Sequence, residues 1–68
     1  MNANPILLQM KYARIVEKFA DKCGISLDKA LDFFYKSDLY LMMSRGIADM
    51  HCRSDEYLVE ELIDEMKR

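Results

Sequence analysis

Apolar residues return at three- and four-residue steps along most of this chain, the period of helices that bury one face. The first stripe is Leu8, Tyr12, Ile15, Val16, Phe19 and Cys23. Asn4 ahead of it suits an N-cap. Pro5 then falls at the first helical position, where its missing N–H costs nothing. Gly24 is placed to end the helix with a positive φ, and Ile25 to fold back on the last turn. Lys22 near that end suits the helix dipole. The pattern predicts a helix over 5–23.

Ser26 and Asp28 read as the cap and first turn of a second helix, over 27–36, with Leu27, Ala30, Leu31 and Phe34 inside and Phe33 widening the stripe. Ser37 followed by Asp38 reads as another cap, so the helix breaks near Lys36 even though no Gly or Pro forces a stop. A third stripe of Leu39, Met42, Met43, Ile47 and Met50 predicts a helix over 38–51. Gly46 lies inside it, at a cost of about 1 kcal/mol against Ala, as a close-approach point or a kink. Ser54, Asp55 and Glu56 open the last helix, over 55–67, with Val59, Leu62, Ile63 and Met66 inward and Leu58 at the margin. No alternating β pattern and no Asn-Gly or Asp-Gly turn occurs. The expected fold is all-α: one domain over 1–68, a compact bundle of three to four short helices. The count turns on the break at Ser37.

Composition agrees with a folded chain. Of 68 residues, 51% are hydrophobic and 32% charged, and the net charge is only −2, too apolar and too neutral for disorder. A domain this short buries only about 60% of its unfolded surface, so its stability is small. Two cysteines, Cys23 and Cys52, are too few for a secreted disulfide scaffold. No cationic start with an apolar run and cleavage site opens the sequence, and no apolar stretch approaches the roughly 20 residues of a membrane span. A reduced, cytoplasmic protein is expected, with no membrane partner.

Several candidate chemistries can be weighed against plainer readings. Ala20, Gly24-Ile25-Ser26 and Phe33 are spaced like the corner of a helix-turn-helix. The recognition position, however, reads Ser26-Leu27-Asp28-Lys29-Ala30-Leu31-Asp32, and its two aspartates repel phosphates. Nucleic-acid binding is therefore the alternative reading and not the leading one. Lys11, Arg14, Lys18 and Lys22 form a basic stripe. Asp55, Glu56, Glu60, Glu61, Asp64 and Glu65 make the last helix acidic. The two either attract each other within the fold or leave the acidic helix to dock on a basic partner.

His51 and Cys52 are adjacent and so point about 100° apart on a helix. With Cys23 and Asp49 they lack the spacing of a zinc site. The plain reading is a helix-end histidine that bonds terminal carbonyls or packs on the last helix. No phosphate loop, nucleophile elbow or HExxH occurs. So small a bundle also has little room for a pocket of several hundred Å3. No catalytic, cofactor or metal site and no small-molecule substrate is expected. Four tyrosines cannot all be interior, and six methionines supply adaptable surface as readily as core. Leu7, Tyr40, Leu41 and Leu58 lie off the main stripes, where an interface would cover them.

Phe19-Ala20 leading to Gly24-Ile25-Ser26, the pair Met50-His51, and Ser54 with Glu56-Tyr57 and Glu60-Glu61-Leu62 together resemble a family. It is that of the small bacterial helical domains catalogued as domain of unknown function 3791. The resemblance runs from about Leu7 to Glu65. It departs where the family carries an aromatic four residues before the histidine, which is Ile47 here. It implies an accessory or antitoxin-like companion of a neighbouring ADP-ribosyltransferase-like protein. It also directs attention to Met50, His51, Ser54 and Tyr57. With Glu60, Glu61 and Asp64 of the acidic helix, these form the candidate partner surface. The expected function is a non-enzymatic interaction module that binds itself or a protein partner.

Overall fold

The computed structural model describes residues 5–68, so the expected Asn4 cap lies outside the described residues. Four α-helices follow one another: α1 Pro5–Cys23, α2 Leu27–Tyr35, α3 Asp38–Arg45 and α4 Asp55–Lys67, with a 3₁₀ segment Ile47–Cys52 between α3 and α4. No strand occurs among the described residues. The chain is all-α, as its periodicity predicts.

Serines start the three later helices. Ser26, Ser37 and Ser54 are each extended at ψ 155, and their hydroxyls accept the N–H of Lys29, Tyr40 and Tyr57. Each such cap contributes on the order of 1 kcal/mol. Ser37 does more. It is buried, and its hydroxyl also donates to the Phe34 carbonyl at 2.6 Å. One side chain therefore closes α2 and opens α3, and the break is sharp without Gly or Pro.

The helix expected over 38–51 is corrected by the structure. It stops at Arg45. Gly46 is not inside it but caps it at φ 68, with its N–H on the carbonyls of Met42 and Met43. Ala48 and Asp49 then also adopt left-handed backbone, both at φ 53, which costs a non-glycine residue about 1–2 kcal/mol. The turn buries Met50 in the core and delivers the chain to Ser54 at the start of α4.

The core is laid around α1, which packs on α2 and α4, while α3 packs on α2, α4 and the 3₁₀ segment. Tyr12, Ile15, Val16, Phe19 and Ala20 meet Ala30 and Phe34, Leu39 and Met43, Met50, and Leu58, Val59 and Leu62. Phe34 sits at the centre of an aromatic cluster, its ring centroid 5.3 Å from Tyr12, 5.3 Å from Tyr40 and 5.5 Å from Tyr35. Burial raises the Tyr12 hydroxyl above its ordinary pKa, and the neighbouring Tyr40 and Tyr35 add to this.

Five positions depart from the expected faces. Leu58, expected at the margin, is fully buried in an α4 that packs on both α1 and α3. Leu27, Leu31, Ile47 and Met66, expected inside, are exposed. Ile47 follows the Gly46 turn and so leaves the stripe it was counted in. Met66 lies in the last turn of α4, and Leu27 is the first residue of α2. Leu31 lies on the side of α2 away from its neighbours.

Candidate interaction surface

The acidic edge of α4 lies along the basic stripe of α1. Asp55 is the hub. Its Oδ2 accepts from Arg14 Nε at 2.9 Å and lies 3.6 Å from Lys18 Nζ, while Oδ1 is 3.7 Å from Lys11 Nζ. Lys11 also donates to the carbonyl of Arg53. Further along, Lys18 pairs with Glu56 at 3.6 Å and Lys22 with Glu60 at 3.3 Å. Both sequences advance in the same direction, so α1 and α4 lie side by side with the same polarity. The pairs beyond Asp55 are exposed and contribute about 0–1 kcal/mol each. Their value is registry, since each like-charged stripe would repel itself if left alone. The attraction within the fold is therefore the arrangement present, and most of the acidic helix's first two turns are committed to it.

The covered Asp55 titrates below its ordinary value of 3.8, chiefly through the Arg14 hydrogen bond. Burial opposes this, and the charges of Arg14, Lys11 and Lys18 add to it. A folded pKa below the unfolded one stabilises the fold above the unfolded value, and this stability is lost as pH falls through the folded pKa. Asp55→Asn is therefore expected to lower stability at neutral pH and to flatten the acid limb below about pH 4. Urea midpoints between about pH 2 and pH 7 would measure this. Parallel acid limbs in the two proteins would remove Asp55 from the account.

The residues picked from the sequence divide three ways. Ser54, Tyr57, Glu61 and Asp64 follow each other at steps of three, four and three, and so share one face of α4. Ser54 is also the helix cap, and the Arg53 guanidinium stands 5.3 Å from the Tyr57 ring centroid. Glu61 is half-buried and Asp64 exposed. Met50 and Glu60 do not join that face. Met50 belongs to the core, and Glu60 faces α1 through Lys22. His51 is half-buried, and its Nδ1 is covered without a hydrogen-bond partner. A helix-end histidine bonding terminal carbonyls through that nitrogen is therefore not what forms. The imidazole packs over Gly46, where an added Cβ would stand 3.6 Å from Cε1.

Periodicity missed two surface features. The first is on α2, where Leu27, Leu31 and Tyr35 recur every four residues, 53%, 41% and 46% exposed. Only their exposure distinguishes them from a core stripe, and that depends on which neighbours α2 acquires. The second is an open groove of about 400 Å3 between α2 and the end of α4. Ile25, Phe33 and Met66 supply its apolar lining, and the Asp32–Lys36 pair at 3.2 Å lies at its rim. It lies outside the core, so the small interior did not exclude it.

The turn between α1 and α2 has the local form expected of it. Gly24 turns at φ 65 and Ser26 caps α2. Its second helix presents Asp28 and Asp32 to solvent beside the apolar stripe, and Lys11, Arg14, Lys18 and Lys22 of α1 are held by α4. Among the described residues, no three His, Cys, Asp or Glu side chains gather as a metal ion would require, and no helix is long and apolar enough to cross a membrane. Cys23 and Cys52 are both free, the first half-buried and the second exposed. No family model, curated protein or solved structure matches the chain.

Proposed function

We propose that this chain is a non-enzymatic protein-interaction module, working in the cytoplasm and binding a protein partner or a second copy of itself. The observation that carries the reading is the outer face of α2. Leu27, Leu31 and Tyr35 form a line of large apolar side chains that the fold leaves about half exposed, Tyr35 with one side of its ring on Tyr40. Single exposed hydrophobics are ordinary, but an aligned set on one helix is what a partner surface covers. The face of Tyr57, Glu61 and Asp64 on α4, with Arg53 over the tyrosine, supplies a second, polar surface of the kind that selects partners more than it adds affinity. The resemblance drawn from Phe19-Ala20, Gly24-Ile25-Ser26 and Met50-His51 suggests the partner class, a neighbouring ADP-ribosyltransferase-like protein that this chain would accompany or restrain.

Nucleic-acid binding through the Ala20–Phe33 corner is the weaker reading. The cations that would meet phosphates are paired with α4, and the recognition position is edged by Asp28 and Asp32. Co-purification with the products of adjacent open reading frames, together with light scattering over a concentration series, tests the proposal. Retention of a neighbour or a rising mass supports it. A strict monomer that retains nothing overturns it. Salt-dependent DNA binding that weakens in Lys11→Ala and Arg14→Ala would transfer the function to the alternative.

A further inference from the structure

We propose that α4 is exchangeable between two copies of this chain, with the turn over 46–53 as the hinge. In the exchanged pair each α4 lies against α1 and α3 of the other copy, in the place that copy's own α4 has left. This gives the self-association named above a physical form, rests on that reading, and asks nothing of the α2 face.

Three observations meet at the hinge. Ala48 and Asp49 hold left-handed backbone at φ 53, a conformation unfavourable to any residue with a Cβ. Alanine is also the best helix former, so Ala48 sits in a backbone opposed to its own preference. Nδ1 of His51 is covered without a hydrogen-bond partner, a deficit that access to water would relieve. Finally, Leu39, Met43, Ile47 and Met50 keep the spacing of one unbroken helix, with no proline to interrupt it. The left-handed backbone and the covered nitrogen belong to the closed turn, and both are relieved when α3 runs on through the segment.

Straightening decides where α4 goes. Helix from Gly46 to Cys52 carries the chain roughly 10 Å onward, at about 1.5 Å per residue, so Ser54 no longer returns to its own α1. Arg14, Lys11 and Lys18 then lack Asp55, Lys22 lacks Glu60, and the α3 amides of Asp38 and Leu39 lack Glu65. The core loses Leu58, Val59 and Leu62. The α4 of a second copy carries each of these residues at the right spacing, so exchange restores every contact, and both copies gain alike. Short hinges under strain favour this route. Opposing it are the withdrawal of Met50 from the core and the freedom lost on association. Ile47 and Met50 of the two crossing hinges cover one another in return. The closed monomer therefore prevails when dilute and the exchanged pair when concentrated.

Equal parts of isotope-labelled and unlabelled chain, unfolded in urea and refolded together at about 1 mM, where mass action favours a pair, test this. Gel filtration should show a species of twice 8.0 kDa beside the monomer. Carbodiimide coupling then links Lys22 to Glu60, whose charged atoms stand 3.3 Å apart. In the dimer these links should join labelled to unlabelled chain as often as not, and in the monomer never. Gly46→Ala should raise the dimer fraction several-fold, because alanine opposes left-handed backbone and favours helix. Its added methyl makes only ordinary contact, 3.6 Å from His51 Cε1. Ala48→Gly should lower the fraction several-fold for the converse reasons. Should Gly46→Ala fail to fold, Ala48→Gly and the label test carry the decision. A parent that refolds only to monomer overturns the inference, as do unmixed Lys22–Glu60 links in the dimer or a dimer fraction indifferent to the hinge variants. A monomer that still retains a neighbouring gene's product overturns this inference alone and leaves the interaction module standing.

Discussion

Phe34→Ala is expected to unfold the protein. The ring is fully buried and touches Tyr12, Tyr35 and Tyr40, so its removal opens a cavity at the junction of α1, α2 and α3. Deleting a buried phenylalanine costs about 3–5 kcal/mol. A domain of this length has in total only about 3–10 kcal/mol, at roughly 0.05–0.15 per residue. The loss therefore takes most or all of what is available. Surrounding relaxation is limited. Tyr12 is itself buried beside the ring, and Ser37 ties the Phe34 carbonyl at the α2–α3 break. Circular dichroism with urea titration checks this against Leu41→Ala, an exposed site on α3 expected to change stability by less than about 0.5 kcal/mol. A Phe34→Ala protein with a cooperative transition within about 1 kcal/mol of the parent would show that the cluster is peripheral.

The contrast between Phe34 and Leu31 also shows what the sequence can carry. Local signals were legible. Pro5, Gly24 and the three capping serines act within one turn of themselves, so they mark helix ends wherever the rest of the chain goes. The stripe of α1 was legible too, because a helix of 19 residues at the centre of the bundle is covered over a wide arc. In α2, nine residues long, either side of Phe34 offers apolar positions. Which side is buried depends on where α1 and α3 arrive, and no residue of α2 records that. Gly46 was visible but ambiguous, since a glycine near a stripe ends a helix as readily as it interrupts one. The turn at Ala48 and Asp49 was illegible in principle, as alanine has no preference for left-handed backbone and adopts it only when packing elsewhere compels it.

Helical spacing alone puts Ser54, Tyr57, Glu61 and Asp64 on one face of α4. It did not reveal that Glu60 belongs to α1, because adjacent carboxylates look alike until a lysine is opposite one of them.

Glu65→Ala is expected to be the most damaging substitution of an acidic residue, and it isolates a contact that no local signal announces. The carboxylate reaches from the end of α4 to the start of α3. There Oε1 accepts the N–H of Asp38 and Oε2 that of Leu39, both at 2.9 Å. Ser37 supplies the acceptor for the next N–H, that of Tyr40. The first turn of α3 is thus capped jointly by its own serine and by a residue 26 positions beyond Leu39. The negative charge also lies at the positive end of the α3 dipole. Removing it leaves the partly buried Leu39 N–H without its acceptor, a loss of about 1–3 kcal/mol. Glu65→Gln keeps a carboxamide oxygen for one N–H and should cost roughly half as much. Asp64→Ala, one residue away and exposed, should be near neutral. Urea midpoints rank the three, and amide exchange locates the effect. The Asp38 and Leu39 amides should lose protection in Glu65→Ala beyond the global destabilisation, while those of α1 follow the global value. Uniform loss across the chain would mean that Glu65 acts through α4 packing instead. Local loss would establish that α3 is held in place by the far end of the chain.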